Sequence, residues 1–170
     1  NHVQQWEGAS DTVDRGESDA GYPRMKVTMR VVDSEELDRE GIQELPWVVE
    51  KFKENFLTRD DYLYLSLEES LGLFLEQMCS GTKWQVLFYL DGRPVGCVFL
   101  GETTNFHYGK VAVELTRWIK YPVIGTGNSR RVVREIARLY QGFLRSTGIP
   151  RLLRVYTNGE SHTYRLKRSI

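Results

Sequence analysis

No run of apolar residues in this 170-residue chain approaches the ~20 needed to cross a bilayer as a helix, and no secretory-leader pattern is present. The expectation is a soluble, cytoplasmic protein with no membrane partner. Cysteine is scarce. The two present, Cys79 and Cys97, sit in apolar contexts, which points to buried reduced thiols rather than a catalytic thiol. His107 and His162 stand alone without ligand spacing, so no metal site is expected. No internal repeat is visible. Net charge is also absent, since 23 Lys+Arg balance 23 Asp+Glu.

That zero hides an asymmetry. Residues 1–109 carry 20 acidic and 10 basic side chains, whereas residues 110–170 carry 3 acidic and 13 basic ones. A basic C-terminal third suits a nucleotide cofactor, a nucleic acid, an acidic partner surface, or the acidic part of the same chain. Arg134, Arg138, Arg145, Arg151 and Arg154 are not interleaved with exposed aromatics in a recognised module, which argues against nucleic acid. A protein partner for this basic face, or a homo-oligomer, stays open. At 41% hydrophobic residues, the chain is long enough for one domain with a real core.

Residues 1–24 are rich in Gly, Ser, Asp and Glu and read as a disordered or draping arm, with Trp6 and Tyr22 as anchors for a partner. Residues 25–32 alternate and read as a strand. Asp33-Ser34-Glu35-Glu36 is a helix start, Pro46 opens a second helix, and Ser66-Leu67-Glu68-Glu69 opens a third with a capping-box pattern. Residues 84–90 and 94–100 form a hairpin around Asp91-Gly92, and residues 101–109 read as a polar loop. Residues 111–119 form a strand containing Glu114 and Arg117. A helix follows over about 129–146, ended by Gly148, then a strand over 152–157. Asn158-Gly159-Glu160-Ser161 reads as the start of a last helix.

The most informative stretch is residues 111–133. Its strand enters Pro122-Val123-Ile124-Gly125-Thr126-Gly127-Asn128-Ser129 and then a basic amphipathic helix. A glycine turn opening a helix presents backbone N–H groups and the positive dipole end, an arrangement suited to phosphate. Arg130 and Arg131 oppose that dipole, a placement more easily understood beside a bound anion.

Together these pieces resemble the Gcn5-related N-acetyltransferase (GNAT) superfamily over residues 25–170. Asp91-Gly92-Arg93-Pro94-Val95-Gly96 resembles the family's hairpin. The strand ending in Pro122 precedes Gly125-Thr126-Gly127-Asn128-Ser129, which stands where the family has its pyrophosphate loop. Thr157-Asn158-Gly159-Glu160-Ser161 through Leu166-Lys167 resembles the closing motif. The resemblance implies an α+β fold (α/β in a broad sense) with a mixed, mostly antiparallel sheet and helices on both faces. It implies a domain over 25–170 whose C-terminal strands are missing. It implies acetyl-CoA as cosubstrate, and an amine, on a small molecule or a protein, that attacks the thioester directly.

By resemblance, Trp118 and Ile119 offer backbone groups to the acyl and pantetheine arm. Gly125, Thr126, Gly127, Asn128, Ser129 and Arg130 hold the pyrophosphate with help from Asn158. Glu114 stands as candidate general base, with a Glu114–Arg117 ion pair as the alternative, and Tyr164 as candidate acid for the thiolate. The loop lacks the family's Gln or Arg before its glycines and is one residue short, and Tyr164 falls one position from the family's tyrosine. The run Ser161-His162-Thr163-Tyr164-Arg165-Leu166-Lys167 resembles the last helix of GNAT-like proteins of short-tailed phages, some of them internal virion components. A non-catalytic structural or interaction protein is therefore the alternative function. The run Glu114-Leu115-Thr116-Arg117 also resembles a strand of acyl-homoserine-lactone synthases, without their N-terminal arginine and aromatic pattern.

Overall fold

A computed structural model describes residues 4–8, 27–58, 65–119, 125–155 and 161–165. Among these residues seven strands form one sheet in chain order: β1 (Gln4–Gly8), β2 (Val27–Val32), β3 (Thr82–Leu90), β4 (Arg93–Asn105), β5 (Gly109–Ile119), β6 (Arg151–Val155) and β7 (Ser161–Arg165). Four helices accompany them: α1 (Ser34–Glu40), α2 (Leu45–Thr58), α3 (Leu67–Gly81) and α4 (Thr126–Thr147). Neighbouring strands pair antiparallel except β5 and β6, which are parallel and joined through α4. The expected fold class is thus the one observed.

Local chemistry explains the helix starts. The Asp33 carboxylate accepts from the Glu36 N–H at 3.0 Å, capping α1. Ser66 and Glu69 complete both bonds of a capping box at the start of α3. The sheet then separates two apolar layers. On one face α4 lays Val132, Ile136, Leu139, Tyr140, Phe143 and Leu144 against strand residues such as Phe88, Val98, Leu100, Ala112 and Leu152. Each such side chain contributes about 1.5–3 kcal/mol by leaving water. On the other face Val48 of α2 and Met78 of α3 cover Leu87, Cys97 and Phe99. Gln85, fully buried on β3, ties the α1–α2 connection down: it accepts from the Gln43 N–H and donates to the Gln43 carbonyl, both at 2.8 Å.

Four readings of the sequence change. Residues 101–109 are no loop, because β4 continues to Asn105 and β5 begins at Gly109, leaving a tight turn at 106–108. Ser161–Arg165 is a strand paired with β6, where a helix was expected; Thr163 and Tyr164 lie opposite Leu153 and Leu152. β-branched and aromatic residues favour that extended pairing once β6 offers an open edge. Gln4–Gly8, inside the presumed arm, pairs along β2. Finally, Cys79 is exposed, whereas Cys97 is fully buried with its thiol held protonated by that burial.

A pH prediction arises from β3. Burial, and then the Glu44 carboxylate that accepts its hydroxyl at 3.2 Å, raise the Tyr89 pKa from 10.0 to about 12. The folded chain holds this proton more tightly than the unfolded one. Its stabilising contribution is complete below pH 10 and drains away between pH 10 and about 12. Urea midpoints measured across that window should fall less steeply for Tyr89→Phe than for the parent chain. Equal slopes would show that Tyr89 carries none of the alkaline loss.

Candidate functional site

The site is built where β5 parts from β6. The parallel ladder has two pairs, Ala112↔Leu152 and Val113↔Leu153. Beyond them the rest of β5, Glu114 to Ile119, keeps its pairing with β4 on one side only among the described residues.

A β-bulge determines what lines this opening. Leu100 pairs with Glu114 and Phe99 with Thr116, so Leu115 is the extra residue on β5. In a regular strand, residues three apart point to opposite faces. The bulge resets the alternation and brings Glu114 and Arg117 to the α4 face together. Leu115 and Trp118 pack on the other face, with the Trp118 ring 5.4 Å from Phe74. Ile119 packs against the α4-side core.

Glu114 is the hub of this opening. Its Oε2 accepts from Arg117 Nη2 at 3.1 Å and Nε at 3.3 Å, and its Oε1 accepts from Arg154 Nε at 2.8 Å. Arg117 Nη2 also donates to the hydroxyl of the fully buried Tyr140 at 2.8 Å. The Glu114 side chain is 5% exposed, against 14% for Arg117 and 19% for Arg154. Two guanidiniums on one carboxylate leave a net positive charge. The Glu114–Arg154 bond spans β5 and β6 one residue past their last backbone pair, so it ties the strands where they begin to diverge. The Glu114–Arg117 alternative read from the sequence is present. Arg154 lies 40 residues from Glu114 and Tyr140 lies 23 from Arg117, on a strand and a helix that only the fold brings near, so the sequence does not show them as partners.

The next described element after β5 is α4. Gly125 caps that helix at φ 80° and ψ 162°, a conformation that side chains rarely adopt, and offers no side-chain cap bond. The first turn has no acidic residue. Gly127, Asn128 and Ser129 are half-buried in it, and Arg130 is exposed. The Ser129 hydroxyl donates to the carbonyl of the capping Gly125 at 2.7 Å, one turn back along the helix. The backbone of Thr126 begins the helix. Tyr164 lies on β7 rather than on a helix, its backbone opposite Leu152. Asn158 and residues 120–124 lie outside the described residues. No group of His, Cys, Asp or Glu suited to a metal occurs among the described residues.

No family model matches this chain, and no curated protein is significantly similar to it. Solved structures do resemble it. A predicted acetyltransferase from Clostridium acetobutylicum, determined with acetyl-CoA, superposes with a TM-score of 0.50 at 8% identity, over 79% of this chain and 84% of that one. A GNAT-family acetyltransferase from Streptococcus pneumoniae gives 0.42 at 16% identity, over 75% and 73% of the two chains. An aminoglycoside acetyltransferase from an uncultured soil metagenomic sample, in complex with sisomicin, gives 0.44 at 10% identity, over 76% and 77%. The chain shares its fold with the predicted acetyltransferase from Clostridium acetobutylicum.

Proposed function

We propose that this chain is an acyl-CoA-dependent N-acyltransferase that moves an acetyl group to an amine by direct attack. The observation that carries the reading is the short β5–β6 ladder together with a glycine-capped, acid-free helix start in the chain that follows β5. The β5 backbone around Trp118 and Ile119, paired on the β4 side only among the described residues, would hold the acyl and pantetheine arm. The first turn of α4, with Gly125, Thr126, Gly127, Asn128, Ser129 and Arg130, would take the pyrophosphate. Arg117 and Arg154 add positive charge to the entrance. Glu114 has one acceptor position left, on Oε1, through which it would take the amine proton directly or through water. Tyr164 is the proposed proton donor to the thiolate, acting from a strand.

One observation favours a non-catalytic use of the same fold. Both Glu114 oxygens are already held by arginines, an arrangement that also serves as a structural tie.

Calorimetric titration with acetyl-CoA separates the two readings. Micromolar binding is expected, and Gly127→Glu, which places a carboxylate where phosphate would sit, should abolish it without changing the far-ultraviolet circular dichroism. An absence of heat up to millimolar acetyl-CoA would overturn the acyltransferase reading.

A further inference from the structure

The end of the sheet away from the β5–β6 opening carries a different surface. At the β4–β5 turn the Asn105 carboxamide oxygen accepts from the His107 N–H at 2.8 Å and the Tyr108 N–H at 3.3 Å, which fixes the turn. Phe106 is thereby held 90% exposed and Tyr108 50% exposed. The His107 ring lies against Phe106, with centroids 3.9 Å apart. An exposed phenylalanine beside an exposed tyrosine is costly to keep in water unless something covers it.

Cations surround this aromatic tip. The Arg151 guanidinium lies 4.3 Å over the Tyr108 ring. Lys110, beside the turn, is 67% exposed and paired with Glu102 at 3.2 Å. Arg151 opens β6, six residues after Arg145 near the C-terminus of α4, so the tip and that helix end share one end of the sheet.

A basic stripe runs from there along α4. At 100° per residue, Arg134, Arg138 and Arg145 fall within about 40° of one another and span about 16 Å of helix. All three are exposed, opposite the buried Val132, Ile136, Leu139 and Phe143. Arg138 pairs with Glu135, but its side chain remains 74% exposed. Exposed ion pairs of this kind hold their partners weakly and yield to phosphate.

We propose that the 106–108 tip and the outer face of α4 form a track for single-stranded nucleic acid. Bases stack on Phe106 and Tyr108, while the backbone phosphates follow Lys110, Arg151, Arg145, Arg138 and Arg134. The sequence hides this interleaving because residues 106–108 precede the arginines by more than twenty positions. A bilayer would meet the tip end-on and leave Arg134 and Arg138 along a helix leading away from it. An acidic face of a second copy would match the arginines but leave the exposed aromatics unexplained. The track ends at Arg134, one helical turn from Arg130 of the proposed acyl-CoA site, so the two sites adjoin, but the track uses different residues and does not rest on that site.

The test is fluorescence anisotropy with a labelled oligothymidylate of about 20 nucleotides. Micromolar binding at low salt is expected, with log K falling against log salt at a slope of about −3 for four or five phosphate contacts. Arg134→Ala with Arg138→Ala should flatten the slope to about −2. Phe106→Ala with Tyr108→Ala should weaken binding about thirtyfold or more and leave the slope unchanged. Gly127→Glu should bind the oligonucleotide as the parent does, which separates this site from the cosubstrate site. Absence of binding at low salt, or binding indifferent to both double variants, overturns the proposal. So does capture by phosphatidylserine vesicles without oligonucleotide binding, or salt-sensitive self-association in sedimentation that uses the same arginines.

Discussion

Glu114→Ala should lower the stability of this protein by about 3–5 kcal/mol, the cost typical of removing one partner from a buried ion cluster. Glu114 is almost fully buried, and its loss leaves Arg117 and Arg154 facing each other with no carboxylate between them. Tyr140 would keep its bond to Arg117, yet a phenol hydroxyl does not neutralise a guanidinium. The loss should be visible as a shift in the urea midpoint at constant slope. A change below about 1 kcal/mol would show that water replaces the carboxylate freely, and that the opening is wetter than its burial implies. Glu114→Gln keeps the shape and one acceptor oxygen, so it should cost less than the alanine variant. It therefore distinguishes a base from a tie. A base loses about a hundredfold or more in kcat on that change, whereas a tie loses stability in proportion to activity.

The second large effect is expected at Gly101→Ala. A Cβ added there would meet the Gly81 carbonyl oxygen at 2.5 Å and Leu115 Cδ1 at 3.0 Å. The first contact is backbone, where α3 ends against β4, and it cannot move without shifting the helix. The second is the bulged residue of β5. A cost of about 2–3 kcal/mol is expected from such overpacking. Gly96→Ala is the internal control, since its nearest atoms lie at 3.2 to 3.3 Å and two of the three belong to side chains of Ile119 and Phe88. It should cost roughly 1 kcal/mol. If thermal unfolding ranks the two variants the other way, the α3–β4 contact is looser than described. Because Leu115 sets the bulge, Gly101→Ala should also weaken whatever ligand the opening takes.

Helix starts were legible because their chemistry is local: Asp33 and Ser66 cap by bonds that span three residues. The Asp91-Gly92 turn and the apolar stripe of α4 were legible for the same reason. The bulge at Leu115 was not, because it follows from how β4 and β5 fit together rather than from the β5 residues alone. Reading β5 as a regular strand places Glu114 and Arg117 on opposite faces, so the ion pair offered from the sequence finds its geometric basis only in the bulge. The last helix failed differently. Ser161 has the composition of a helix start, but the open edge of β6 offers backbone pairing that local propensity does not register.

The lateral order of the sheet repeats the order of synthesis. Every strand finds its neighbour in the strand made just before it, so none has to insert between two already joined. The hairpins β3–β4 and β4–β5 close over short loops, which keeps their loop-closure entropy low, whereas β6 waits for a helix of 22 residues to form and fold back. The meander from β3 to β5 should therefore nucleate folding, with phi values near their highest in those strands and low ones in β6. The opening that makes a site in the finished molecule would then be the last part of the sheet to assemble.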